Sequence, residues 1–314
     1  MSLSRRHFLK LAGIALLAPT TKQFIPFEIA QPAYEFPAVM GRTLTAAPVY
    51  AMPDGAVHRR LFPDTVVSLL DSAGDWYRAA GGYVRRADVQ PMQPRPTLIA
   101  PPAPPFWAEV GAAVAVVRAW CAADAPLVAR VGHGGVLRVV DALTLNDDRW
   151  YALADAADAP LGWALASAWD ALTPPLPLSL SNFVRAARGE EIAPLSLNLG
   201  RGSEGVRGIT LDRAARTVTA YAGDRAVLRA PALVGDAVVA GEYPLTAQQI
   251  SARHQAEHVE YHGTPWITVF GEIRLMGAYW HHRFGAVMPG YDVQVAPAAA
   301  RWLYRWAGAR FTVV

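Results

Sequence analysis

One cysteine, Cys121, occurs in 314 residues, so no intramolecular disulfide can hold this chain together. Lysine is almost as scarce, with only Lys10 and Lys22, and arginine carries the remaining positive charge. The formal net charge of +3 is too small a surplus to argue for nucleic acid as a partner. The apolar run that follows Lys10 is far shorter than the ~20 residues that span a bilayer. There is no G-x-S-x-G elbow to present a nucleophilic serine, and no glycine-rich loop with the lysine that cradles phosphates. No cofactor is therefore expected, and the serine hydrolase and nucleotide-binding classes fall away.

The chain does contain an opening "SRRHFLKLAGIALLAP", with Arg5 and Arg6 ahead of Phe8, Leu9 and Lys10. A charged pair before a mild apolar run reads as a twin-arginine export signal. An exported protein in the cell envelope or outside the cell is expected, with membrane contact only through that signal.

Two later segments echo one another, Leu44 to Met92 and Ala115 to Leu172. Each has an apolar run ending at an aspartate (Val66 to Asp71; Val136 to Asp141). A Trp-Tyr pair follows (Trp76-Tyr77; Trp150-Tyr151), then a Gly-aromatic step (Gly82-Tyr83; Gly162-Trp163). Short strand-like runs spaced by turn residues predict a mainly β chain with two small barrels. Their order of features resembles bacterial SH3-like domains. Trp76 and Trp150 are expected to pack in the cores, and Cys121 is expected to be a buried, inert thiol. The proline-rich "PMQPRPTLIAPPAPPFW" separates the two segments, and a second connector begins "TPPLPLSLSNF". The expected organisation is a signal and linker over 1–35, SH3-like domains over 38–93 and 107–172, linkers over 94–106 and 173–205, and a last domain over 206–314. In that last domain a hairpin is expected to turn at Ala222, Gly223 and Asp224, and a short helix to span Pro297 to Trp306.

The last domain carries the chemistry. "ITLDRAARTVTAYAGDRAV", "VVAGEYPL", "SARH" ending at His254, "GTPWITVF", "GAYWHHRFG" and "APAAARWLYRWAG" follow in an order that resembles the catalytic domain of L,D-transpeptidases of the YkuD type. That family crosslinks peptidoglycan stem peptides. The resemblance implies a β-sandwich or barrel with short helices, and a cleft formed by His254, Tyr279, Trp280 and His281. It also implies a catalytic motif S/T-H/R-G-C-x-N between the last two stretches. Set without gaps from Phe284 to Tyr304, the chain has Pro289 for Ser/Thr, Gly290 for His/Arg, Tyr291 for Gly, Asp292 for Cys and Gln294 for Asn. Met276 stands where the family has a further histidine.

Acyl transfer from a stem peptide needs a polarisable thiolate, an imidazole to manage its proton, and donors for the oxyanion. A carboxylate at Asp292 is a poor substitute. The implied function is an exported pseudoenzyme that binds peptidoglycan stem peptides or a wall protein without turning them over. A second reading keeps an active wall enzyme, with Asp292 served by His281 and His282 or by a metal held among the histidines. A third makes the barrels the working part. His254, His258 and His262 lie four apart, as ligands on one helix face would. Gly263 and Pro265 end any such helix, and no aspartate is placed to support the ligands, so no metal is expected.

Overall fold

The computed structural model of the protein describes residues 40–92, 101–172, 207–256, 258–307 and 310–314. The expected export signal and the connector over 173–205 lie outside the described residues. The chain is mainly β, built as two seven-stranded sheets and one ten-stranded sheet. Among the described residues no helix is long and apolar enough to cross a membrane.

The two echoing segments fold into sheets of identical strand order. Counting strands from each segment's start, both run third, second, sixth, fifth, fourth, first, seventh. The first comprises Met40–Thr43, Ala47–Tyr50, Val57–Leu61, Val66–Ala73, Trp76–Ala79, Gly82–Arg85 and Val89–Met92. The second comprises Phe106–Val110, Val114–Arg118, Leu127–Gly132, Val136–Leu145, Asp148–Ala154, Pro160–Leu165 and Trp169–Ala171. Turn chemistry fixes the registers. Asn146 and Asp147 both have positive φ, 51° and 66°, as a two-residue hairpin between Leu145 and Asp148 requires. Gly82 and Gly162 occupy the same place in the two repeats, with φ of 142° and 152°. A Cβ on either would run into a backbone carbonyl, that of Tyr50 or Arg118, so the Gly-aromatic step is a packing requirement. Trp76, Tyr77, Trp150 and Tyr151 are all buried.

The last sheet begins with antiparallel strands Arg207–Asp212 and Thr217–Ala222, and continues through Arg225–Pro231 after a turn at Gly223. Its centre is a long hairpin, Gly241–Ala256 with Val259–Phe270. Strand Ile273–Gly277 pairs with the hairpin on one side and, in parallel, with Asp292–Val295 on the other. The helix spans Pro297–Trp306, as the sequence predicts. Proline at its start costs nothing, because the first helical N–H has no intrahelical partner. It buries Ala299, Ala300, Leu303, Tyr304 and Trp306 in a core that also holds Phe270 stacked on Phe311.

The three sheets share contacts. Trp107, Val136 and Leu172 of the second repeat belong to the buried cluster of the last sheet. The Ser251 hydroxyl donates to the Val136 carbonyl, Arg253 pairs with Asp155 at 2.7 Å, and Arg301 pairs with Glu109 at 2.6 Å. The buried Arg42 of the first repeat donates to Gln90 Oε1, Asp64 Oδ1 and the carbonyl of Tyr279. Gln90 in turn donates to the His133 carbonyl of the second repeat.

Candidate functional site

The parallel pairing of Ile273–Gly277 with Asp292–Val295 sets Arg274 opposite Asp292 and Met276 opposite Gln294. Cross-strand neighbours on one face meet directly. Arg274 accordingly grips Asp292 with both edges of its guanidinium, Nε to Oδ1 at 2.8 Å and Nη2 to Oδ2 at 3.0 Å. Both carboxylate oxygens thus accept charge-assisted bonds in a bidentate pair.

His254 approaches the same carboxylate from the long hairpin, with Nδ1 3.8 Å from Oδ2, outside hydrogen-bonding range. Its ring is buried, and Nε2 has no protein partner. Burial lowers the His254 pKa, partly offset by Asp292 and reinforced by Arg274. Its ring stacks on Trp280 at 5.1 Å, and Trp280 stacks on Tyr261 at 4.5 Å. Tyr279 meets Trp280 edge-on and donates its hydroxyl to the His262 carbonyl, and burial pushes its pKa up. The result is an aromatic wall joining the hairpin to the segment that leaves strand Ile273–Gly277. Trp280 and Tyr261 are its half-buried members, whereas Tyr279 is 3% exposed and packs against the core of the second repeat.

His281 is buried as well. Its Nε2 lies 2.6 Å from Gln294 Oε1, and its Nδ1 accepts the Arg283 N–H at 3.2 Å. These two bonds together require a neutral ring protonated at Nε2. Burial pushes its pKa down to about 4, against the bond it donates to Gln294, which raises it. His282 bonds through Nδ1 to the Arg86 carbonyl at 2.9 Å, and burial pushes its pKa down to about 4 as well. His281 could take up a further proton only at Nδ1, by giving up the bond from the Arg283 N–H.

A pH dependence follows. Both folded pKa values lie below the ordinary 6.5, so between pH 6.5 and 4 the unfolded chain takes up protons that the folded chain refuses. The stability contributed by these neutral rings is present above pH 6.5 and is lost as the pH falls toward 4. For His281 alone the loss is about 3 kcal/mol at most. Urea unfolding midpoints at pH 7.5, 5.5 and 4.5 should fall in that order, with His281→Gln flattening the profile. A midpoint that holds constant over the range would contradict the buried, neutral assignment.

The remaining motif positions form the turn into Asp292. Pro289 is exposed, Gly290 has φ of 102° and donates its N–H to Asp236 at 2.9 Å, and Tyr291 is half-exposed. Met276 is fully buried beside Gln294. Cys121 lies in the turn before Leu127, with its thiol pKa raised by burial. His254 and His262 lie on opposite strands of the hairpin with His258 near its tip, so no helix face unites them. Among the described residues no three His, Cys, Asp or Glu side chains come together as metal ligands would.

Sequence reasoning placed Asp292 but missed Arg274. Its signal lay in the spacing: Arg274 is two residues before Met276, as Asp292 is two before Gln294, so parallel pairing sets them opposite. The bond from His282 to Arg86, between the first repeat and the last sheet, left no such trace.

No protein-family model and no curated protein matches the chain. Solved structures resemble it in part. An L,D-transpeptidase from Mycobacterium smegmatis aligns with a TM-score of 0.31 at 16% identity, over 34% of this chain and 58% of that one. An L,D-transpeptidase from Mycobacterium tuberculosis H37Rv aligns with the same score at 12% identity, over 35% and 57%. The catalytic domain of the E. faecium L,D-transpeptidase does so at 12% identity, over 37% of this chain and all of that one. The chain thus spans little more than half the length of the two mycobacterial proteins.

Proposed function

We propose that the protein is an exported, peptidoglycan-associated relative of the L,D-transpeptidases that holds a wall ligand without acyl transfer. The observation that carries this reading is the state of Asp292. On the ungapped registration Asp292 stands where the family has its nucleophile; this carboxylate is locked onto Arg274, and His281 spends both ring nitrogens on Gln294 and the Arg283 N–H. A carboxylate held by two charge-assisted bonds is a still weaker nucleophile than a free one, because attack must break those bonds.

Binding and covalent chemistry are separable, and the aromatic wall of Trp280 and Tyr261 survives the loss of the motif. Large, rigid aromatic faces supply binding energy at low entropic cost. The ligand this reading favours is a peptidoglycan stem peptide or a cell-wall protein. Export rests on Arg5 and Arg6 ahead of the short apolar run, and an envelope or extracellular location goes with it.

The test is retention of the full-length protein on purified sacculi. Trp280→Ala should weaken retention about tenfold, the scale of one buried aromatic contact, while Trp280→Phe restores most of it. Unfolding curves of both variants establish that they are folded. Equal retention of all three proteins would show that this wall is not the contact.

A further inference from the structure

A second recess, which includes none of Asp292, His254 and Trp280, opens between the first repeat and the last sheet. It has a volume of about 700 Å³. Its lining brings together four arginines, Arg85 and Arg86 from the first repeat and Arg229 and Arg283 from the last sheet, against one acid, Asp75. Arginines far apart in sequence converge here only because the fold docks the two parts. That docking is fixed at the recess itself by the bond between His282 Nδ1 and the Arg86 carbonyl.

The four guanidinium groups differ in their engagements. Arg85 lies over the Trp76 ring at 4.7 Å and pairs with exposed Asp54 at 3.2 Å; Arg86 lies over Tyr77 and donates to the Gly74 carbonyl. A guanidinium stacked on an aromatic face still contributes its charge to the recess. Arg229 and Arg283 are exposed and make no ion pair among the described residues. Asp54 and Asp75 offset part of the charge, and the repulsion that remains among the arginines is relieved by a bound anion.

We propose that this recess binds a phosphate-bearing ligand carrying several negative charges. A carboxylate brings one charge and two acceptor oxygens, whereas a phosphate monoester brings up to two charges and three oxygens, so two linked phosphates match the excess of arginines. The recess is also far larger than a single ion needs, which suits a linked pair. Two facing walls admit a chain segment or a small molecule, whereas a flat bilayer surface cannot enter between them.

The probe is inorganic tripolyphosphate, titrated calorimetrically at low ionic strength into the full-length protein. Saturable binding is expected, weakening about tenfold or more in Arg229→Ala/Arg283→Ala, since each lost charge-assisted bond is worth more than 1 kcal/mol. Arg310→Ala, which removes an exposed arginine paired with Glu242, should bind as the parent does. Citrate should bind at least about tenfold more weakly than tripolyphosphate. Both substituted arginines are exposed, so the double variant is expected to fold, and its unfolding curve checks this. Absent binding, or binding unchanged in the double variant, overturns the site. Citrate binding as tightly as tripolyphosphate overturns the phosphate class. Association with phosphatidylglycerol vesicles that the double variant loses and tripolyphosphate does not compete away makes the surface a membrane contact instead. A soluble ion is the probe, so failure on sacculi leaves this result standing.

Discussion

Replacing Asp292 with cysteine should give a protein that reacts with a small alkylating agent but forms no acyl adduct with a β-lactam or a stem peptide. An unassisted thiol has a pKa of about 8.5. At position 292 it would face Arg274, whose guanidinium now grips the carboxylate at 2.8 and 3.0 Å and would favour the thiolate. Iodoacetamide needs no more than that. Acyl transfer also needs a proton donor for the leaving group and donors for the oxyanion, and loss of a single oxyanion donor costs about 10²–10³ in rate. The imidazole nearest the carboxylate, His254, is 3.8 Å away with nothing bonded to orient it, and His281 is committed to Gln294. On the proposed reading, Met276, Pro289, Gly290, Tyr291 and Gln294 alter the rest of the motif together. Members of one catalytic unit are not additive, so restoring one recovers little. Intact-mass measurement on Asp292→Cys, beside a variant restoring Ser, His, Gly, Cys and Asn at 289 to 292 and 294, decides the matter. A rapid acyl adduct on the single variant would mean that the site is still organised for catalysis.

Arg42→Ala should be the most damaging single change to stability. The residue is 5% exposed and its side chain serves three acceptors, of which Asp64 is charged and the Tyr279 carbonyl belongs to the last sheet. Burial lowers the Arg42 pKa, while Asp64 opposes that shift. Removing one partner of a buried pair leaves the other charge uncompensated, at a cost of about 3–5 kcal/mol. Arg130, 2.6 Å from the other oxygen of Asp64, softens the loss without filling the space. Arg42→Lys should recover little, because one ammonium cannot reach three acceptors in a fork geometry. Urea unfolding gives the number, and a loss below about 1 kcal/mol for the alanine variant would show that this junction is not what joins the first repeat to the last sheet.

Local chemistry made several elements legible. The helix over Pro297–Trp306 announces itself by its proline start and its apolar spacing, and the turn at Gly223 by a residue suited to positive φ. The internal repeat was visible because the same Trp-Tyr and Gly-aromatic steps recur, and the identical strand order of the two sheets follows from them. Cys121, expected to be buried, is only half-buried in its turn, with its thiol pKa raised by desolvation. The four-residue histidine spacing would suit a helix face, a reading that Gly263 and Pro265 argue against, and the hairpin sets His254 and His262 on opposite strands.

By itself the sequence determined the mainly β class and the duplicated unit. Each of these depends on residue identity or on spacing within a few residues. Tertiary structure alone decided what Asp292 does, which tautomer His281 holds, and that Arg85, Arg86, Arg229 and Arg283 share one recess. The physical reason is range. A parallel strand pairing couples residues 274 and 292, and a docked interface couples 86 with 282, through contacts between segments whose separation in the chain carries no period. Propensity and patterning act over one turn or one hairpin, whereas ion pairs and recesses depend on which distant surfaces meet.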